Sequence, residues 1–142
     1  MTIAAILQSK GSEVLTIDTG TSVRDAVALL AERRIGALPV TQGGAIAGIM
    51  SERDVIYRLQ SDGAAILDWE VGRIMTAPAI TVTQGTEIMS ALSLMTRRRI
   101  RHLPVVEGQA LVGLVSIGDL VKYRMDKIEA EAAAMLNYIQ SV

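Results

Sequence analysis

The chain has 142 residues, half of them apolar, and a formal net charge of −1 at pH 7. It has no Cys and one His, which excludes disulfides and thiolate chemistry and leaves too few imidazoles for a His-based metal site. The charge balance argues against a general nucleic-acid or anionic-membrane binder, and no apolar run reaches the roughly 18 residues that a membrane span needs.

The opening stretch, Met1–Lys10, lacks a basic region and stops after a short apolar run, so it does not read as a signal peptide. The expectation is a cytoplasmic protein. A β-rich run, Leu15-Thr16-Ile17, comes next and Gly20 marks a turn. Thr21 or Ser22 is the expected cap of a helix whose apolar face is Val23, Ala26, Val27, Leu29 and Leu30. Two apolar runs follow, Ala37–Val40 and Ala45–Met50, and Gly43-Gly44 between them predicts a hairpin turn. Ser51 opens a second helix. Residues 60–75 form a link, with a short helix expected over Asp68–Met75, and Thr76-Ala77-Pro78 turns the chain back.

The pattern then repeats. Shifted by sixty-five residues, positions 14–59 lie over 79–124 without a gap, with sixteen identities in forty-six positions. Gly48, Ser51 and Asp54 fall on Gly113, Ser116 and Asp119; Arg33, Arg34 and Ile35 fall on Arg98, Arg99 and Ile100. The second copy has its own β run, Ile80-Thr81-Val82, a cap at Thr86, and a helix face of Ile88, Ala91, Leu92 and Met95. Two copies are too few for a solenoid. The class is therefore α/β (α+β): two β-α-β-β-α units packed as a pseudo-two-fold pair, plus a C-terminal helix. The expected division is residues 1–67, 68–125 and a 126–142 extension.

The β-α-β-β-α unit, the Leu-Pro-Val after its first helix, and the Gly-x-x-Ser-x-x-Asp that closes the hairpin resemble a cystathionine-β-synthase (CBS) domain. Two in tandem resemble a CBS pair, or Bateman module, of the small stand-alone bacterial kind. The resemblance spans about residues 1–125. It implies adenosine ligands (AMP, ADP, ATP, NAD or NADH, S-adenosylmethionine) in clefts between the copies, no required cofactor, a homodimer, and an unidentified regulated protein.

The residues themselves allow this chemistry. Ser51 and Ser116 sit at helix starts, where free N–H groups and the positive end of the helix dipole favour an anion. Asp54 and Asp119, one turn on, suit the two hydroxyls of a ribose. The same Ser-x-x-Asp spacing is also nearly a capping box, a purely structural role. In the run Arg97–His102, Arg97 and Arg98 read as a solvated helix end, while Arg99, Arg101 and His102 suit phosphate. The first copy has Gly36-Ala37 where the second has Arg101-His102, partly offset by Arg53 against Gly118, so two inequivalent sites are expected. Ile17, Ile35 and Leu38, with Val82, Ile100 and Leu103, are candidates for an adenine slot or for ordinary core. Thr16 and Thr81 offer hydroxyls, and the resemblance adds Ala37, Pro39 and Pro104.

From Val121 the apolar residues fall at Val121, Met125, Ile128, Ala132, Met135, Ile139 and Val142, an a/d heptad seam. No Walker loop, HExxH motif or GxGxxG is present, and one His inside an arginine run is no triad signature. The expectation is a regulatory nucleotide sensor and not an enzyme. Its rivals are a structural dimerisation module with empty sites and a nucleic-acid module through Arg97–Arg101. Against the latter stands the shortage of aromatic residues for stacking.

Overall fold

The computed structural model describes residues 1–141; Val142, the last seam position, lies outside them. Helix α1 (Ile3–Lys10) is followed by β1 (Ile17–Asp18), α2 (Val23–Arg33), β2 (Ala37–Gln42), β3 (Ala45–Ser51) and α3 (Glu52–Asp62). Two 3₁₀ turns, Gly63–Asp68 and Val71–Arg73, lead to α4 (Ile88–Arg98), β4 (His102–Glu107), β5 (Ala110–Ser116) and α5 (Ile117–Gln140). The short helix expected over Asp68–Met75 is thus one 3₁₀ turn.

The expected helix faces are the buried ones. Helix α2 buries Val23, Ala26 and Leu30, and α4 buries Ile88, Ala91 and Met95, the one-sided spacing of an amphipathic helix. Ser22 caps α2, its Oγ accepting from the Asp25 N–H at 3.1 Å. Thr86 does not cap α4. Glu87 occupies the cap position without a side-chain bond, because the Thr86 hydroxyl is already closing a local turn with the Thr83 N–H at 3.1 Å. Both helices end on an arginine in the left-handed region, Arg34 at φ 53° and Arg99 at φ 55°, a conformation that glycine adopts far more readily.

The five strands form one sheet in the order β1-β2-β3-β5-β4. Each repeat supplies an antiparallel hairpin, with an irregularity at the same place in both, Val40/Thr41 and Val105/Val106. At the Gly43-Gly44 turn both residues have positive φ, 60° and 84°, the requirement of a tight hairpin of this hand. The β run expected in the second copy shrinks to one bridge, Val82 to Val105. Between the repeats the sheet is joined by a single register pair, Ala45 with Ala110.

The two cores do not follow the division of the sequence. Repeat 1 buries Ile66, Val71 and Ile74 from the link together with its own Val23, Leu38 and Met50. Repeat 2 buries Ile3, Ile6 and Leu7 of α1 beside its own Ile88, Leu103 and Leu120. Each repeat is therefore closed by the segment that precedes the other one. At about 1.5–3 kcal/mol per large side chain fully buried, three such residues hold α1 firmly on repeat 2. Among the described residues, no helix is long and apolar enough to cross a membrane.

Candidate functional site

Ser51 and Ser116 start α3 and α5 because each closes a complete capping box. The Asp54 carboxylate accepts from the Ser51 N–H at 2.8 Å, and Asp119 accepts from the Ser116 N–H at the same distance. The capping role weighed from the sequence is real, and it aims each carboxylate into a cleft between the repeats. A carboxylate has about four lone-pair sites, so a cap bond does not exhaust it.

The first cleft is lined by Ser51, Arg53 and Asp54 of repeat 1 and by Ile80, Arg99 and His102 of repeat 2, with Thr76 at its wall. Thr76 Oγ1 donates to Asp54 Oδ1 at 2.9 Å. Arg53 donates to the Arg99 carbonyl at 3.0 Å, and Arg101 pairs with Glu52 at 3.0 Å, so two bonds brace this cleft across the repeats. Its interior is about 90 Å³, below the several hundred Å³ of typical small-molecule sites.

The second cleft combines Ser116 and Asp119 of repeat 2 with Leu15, Arg34 and Ile35 of repeat 1, and its interior is about 500 Å³. Here the group on the aspartate is a cation: Lys10, in the last turn of α1, pairs with Asp119 at 2.6 Å. Burial pushes the Asp119 carboxyl up, but the Lys10 and Ser116 bonds outweigh it and hold its pKa below the ordinary range. His102 borders both clefts. Burial and then the neighbouring Arg101 hold its pKa below the ordinary 6.5, so it is neutral at pH 7.

Eight of the residues singled out from the sequence meet in the first cleft: Ala37, Ser51, Arg53, Asp54, Arg99, Ile100, Arg101 and His102. Ile35, Ser116 and Asp119 meet in the second. Eight lie outside both, Leu38 and Leu103 among them. Ile17 and Val82 are core residues, and Pro39 and Pro104 are buried in β2 and β4. Thr16 is exposed and Thr81 half-buried, neither on a cleft wall. The apolar walls come from Leu15 and Ile80, one residue earlier, and from Ile35 and Ile100, while Leu38 and Leu103 are fully buried in the cores. Gly48 and Gly113 make room for protein rather than for a ligand: a Cβ on Gly48 would meet the Thr76 carbonyl at 2.7 Å, and one on Gly113 would meet Leu7 Cδ2 at 2.7 Å.

Sequence reasoning missed Arg34, Lys10 and Thr76. The repeat carried the signal for Arg34, which aligns with Arg99. Lys10 and Thr76 precede the aligned copies and reach across to the other repeat, so no local pattern marks them.

The family model for the CBS domain matches this chain twice, over residues 9–61 and 71–126. The chain belongs to the CBS-domain family. It carries two CBS repeats, and proteins of this kind are its structural neighbours. The mitochondrial CBS domain-containing protein CBSX3 of Arabidopsis thaliana is 37% identical, over 98% of this chain and 72% of its own length. A protein with CBS domains from Burkholderia ambifaria superposes with a TM-score of 0.84 at 40% identity, covering 89% of this chain and 95% of that one. The structure of CBSX2 in complex with AMP has a TM-score of 0.73 at 26% identity, with 88% and 96% coverage.

Proposed function

We propose that this CBS pair is a regulatory module that binds adenine nucleotides in the two clefts between its repeats. One observation carries the reading: each cleft unites the helix-capping aspartate of one repeat with the left-handed arginine of the other. Asp54 meets Arg99 in the first cleft, and Asp119 meets Arg34 in the second. A carboxylate for ribose hydroxyls, a guanidinium for phosphate and a pair of aliphatic side chains for a base suit a nucleoside phosphate. AMP in the related CBSX2 supports that ligand class. Physiological ligands of the same class include ADP, ATP and NAD.

A ligand in either cleft touches both repeats, which share only one register pair within the sheet. Its affinity then depends on how the repeats are set, and binding favours one setting over others. Two protomers pair, and a regulated protein reads the setting.

A second reading is a structural module with empty clefts. The engagement of both aspartates in capping boxes and the narrowness of the first cleft favour it. Calorimetric titration with AMP, adenosine and 2′-deoxy-AMP separates the two. The nucleotide reading expects AMP to bind more tightly than either analogue; no heat with any adenine compound, NAD and ATP included, establishes the structural module.

A further inference from the structure

From Met125 through Gln140 every residue of α5 is exposed, so the distal part of the helix projects away from both cores. Its large apolar residues are not scattered. Val121, Met125, Ile128, Met135 and Ile139, between 42% and 62% exposed, lie on one seam, with Ala132 completing the a/d pattern. Helices in proteins draw most of their stability from packing an apolar face, and a continuous apolar stripe on this exposed surface calls for a partner. Every turn of the seam has the spacing that a second identical helix would match.

We propose that this stretch of α5 forms a parallel two-stranded coiled coil with a second copy of the chain, an inference that rests on the pairing of protomers proposed above. The charges beside the seam decide the direction. With Val121, Ile128 and Met135 at d and Met125, Ala132 and Ile139 at a, the g positions are Arg124, Glu131 and Tyr138. The e positions are Lys122, Glu129 and Leu136. In a parallel pair each g residue faces the partner's e residue five places on. Arg124 then faces the partner's Glu129, twice by symmetry, and Glu131 faces the partner's Leu136, with no like-charge pair. An antiparallel pair that overlaps the same seam sets Ile128 against the partner's Ala132. That alignment places Glu129 against the partner's Glu129 and Glu131 against the partner's Glu131, two repulsions at the centre of the interface. Leu136 and Tyr138, both exposed in the single chain, widen the parallel seam at its far end.

The absence of Cys from the sequence makes the test clean. In the parallel arrangement the two residues at position 135 face each other within disulfide reach, and so do the two at 128. In the antiparallel one, residue 135 faces the partner's residue 125, ten residues or about 15 Å away along the helix. Full-length Met135→Cys is expected to cross-link to a dimer under mild oxidation, and Met125→Cys mixed with Met135→Cys to yield homodimers only. Ile128→Asp combined with Met135→Asp changes residues exposed in the single chain, so its fold is expected to stay intact. It should raise the dimer dissociation constant at least about 100-fold in light scattering over a dilution series, because four carboxylates would be buried at the seam. Heterodimeric cross-links between positions 125 and 135 would overturn the parallel direction. A dimer unaffected by the double aspartate variant would overturn the coiled coil while leaving the pairing of protomers intact. A monomer at every concentration would overturn both.

Discussion

Lys10 Nζ stands 2.6 Å from Asp119 Oδ2 and also donates to the Leu114 carbonyl at 2.9 Å. The corresponding aspartate, Asp54, carries the Thr76 hydroxyl instead, at 2.9 Å. Each aspartate is thus held by the segment that closes its own repeat's core, one by a cation and one by a neutral donor. On the proposed nucleotide reading, Lys10 competes for the carboxylate oxygens that would receive a ribose. Replacing it with Met keeps the apolar stem and removes the charge. Because the pair is about one-third exposed, its worth is at most about 1 kcal/mol. Lys10→Met is therefore expected to tighten AMP binding in the second cleft by up to about fivefold, with little change in the first. Weaker binding in calorimetry would show that Lys10 holds the ligand rather than excluding it.

Asp54→Asn and Asp119→Asn separate ribose recognition from capping, since an amide oxygen still accepts from the serine N–H. A hydrogen bond to a charged group contributes about 1.5–3 kcal/mol, so each variant should weaken AMP about 10–150-fold at one cleft only. Each should also lose the preference for AMP over 2′-deoxy-AMP at that cleft. Lowered melting temperatures with unchanged affinity would leave the aspartates as caps and nothing more.

The two aligned glycines should respond differently to the same change. In Gly48→Ala the new methyl meets a backbone carbonyl that is itself hydrogen-bonded to the Ile49 N–H at 3.0 Å, so nothing nearby yields easily. In Gly113→Ala it meets the end of the Leu7 side chain, which can rotate. Gly48→Ala is expected to cost about 1–3 kcal/mol, the usual range for overpacking, and Gly113→Ala clearly less. Urea unfolding of the two variants measures this; equal costs would contradict the geometry.

His102 makes stability depend on pH. Its folded pKa lies below the ordinary 6.5, so the unfolded chain takes up the proton first as pH falls. The stability that the neutral imidazole carries is full above the unfolded pKa and is lost progressively below it. Asp119, with its pKa held below 3.8, adds its own loss only in stronger acid. Between about pH 7.5 and about pH 5.5 the wild type should therefore lose more stability than His102→Asn. Parallel melting curves for the two would remove His102 from this role.

The repeat made much of this architecture legible. Sixty-five residues of offset carried the strand and helix order, the equivalence of Ser51 with Ser116, and the pairing of Asp54 with Asp119. Helix faces were readable because burial at one side imposes a period that survives in a single copy. The cleft walls were less so. Leu15 and Ile80 replace Ile17 and Val82 there, since in so short a strand local patterning does not fix which apolar residue turns inward. Lys10 was invisible for another reason: its partner lies 109 residues away, and only the crossing of α1 onto repeat 2 brings them together. The capping boxes were readable as a motif, but the sequence did not decide between cap and ligand contact, because one carboxylate can serve both.

That crossing has a consequence for biosynthesis. Helix α1 leaves the ribosome long before the strand and helix that receive it. At ordinary elongation rates the interval for the 109 residues between Lys10 and Asp119 is on the order of 5–20 s. Repeat 1, whose closing segment follows it directly, can condense during that time. Ile3, Ile6 and Leu7 meanwhile have no core to enter and stay available to any chaperone at the exit tunnel. Helix α1 is thus made before repeat 1 yet docks after it, and its apolar face stays uncovered until the second hairpin is complete.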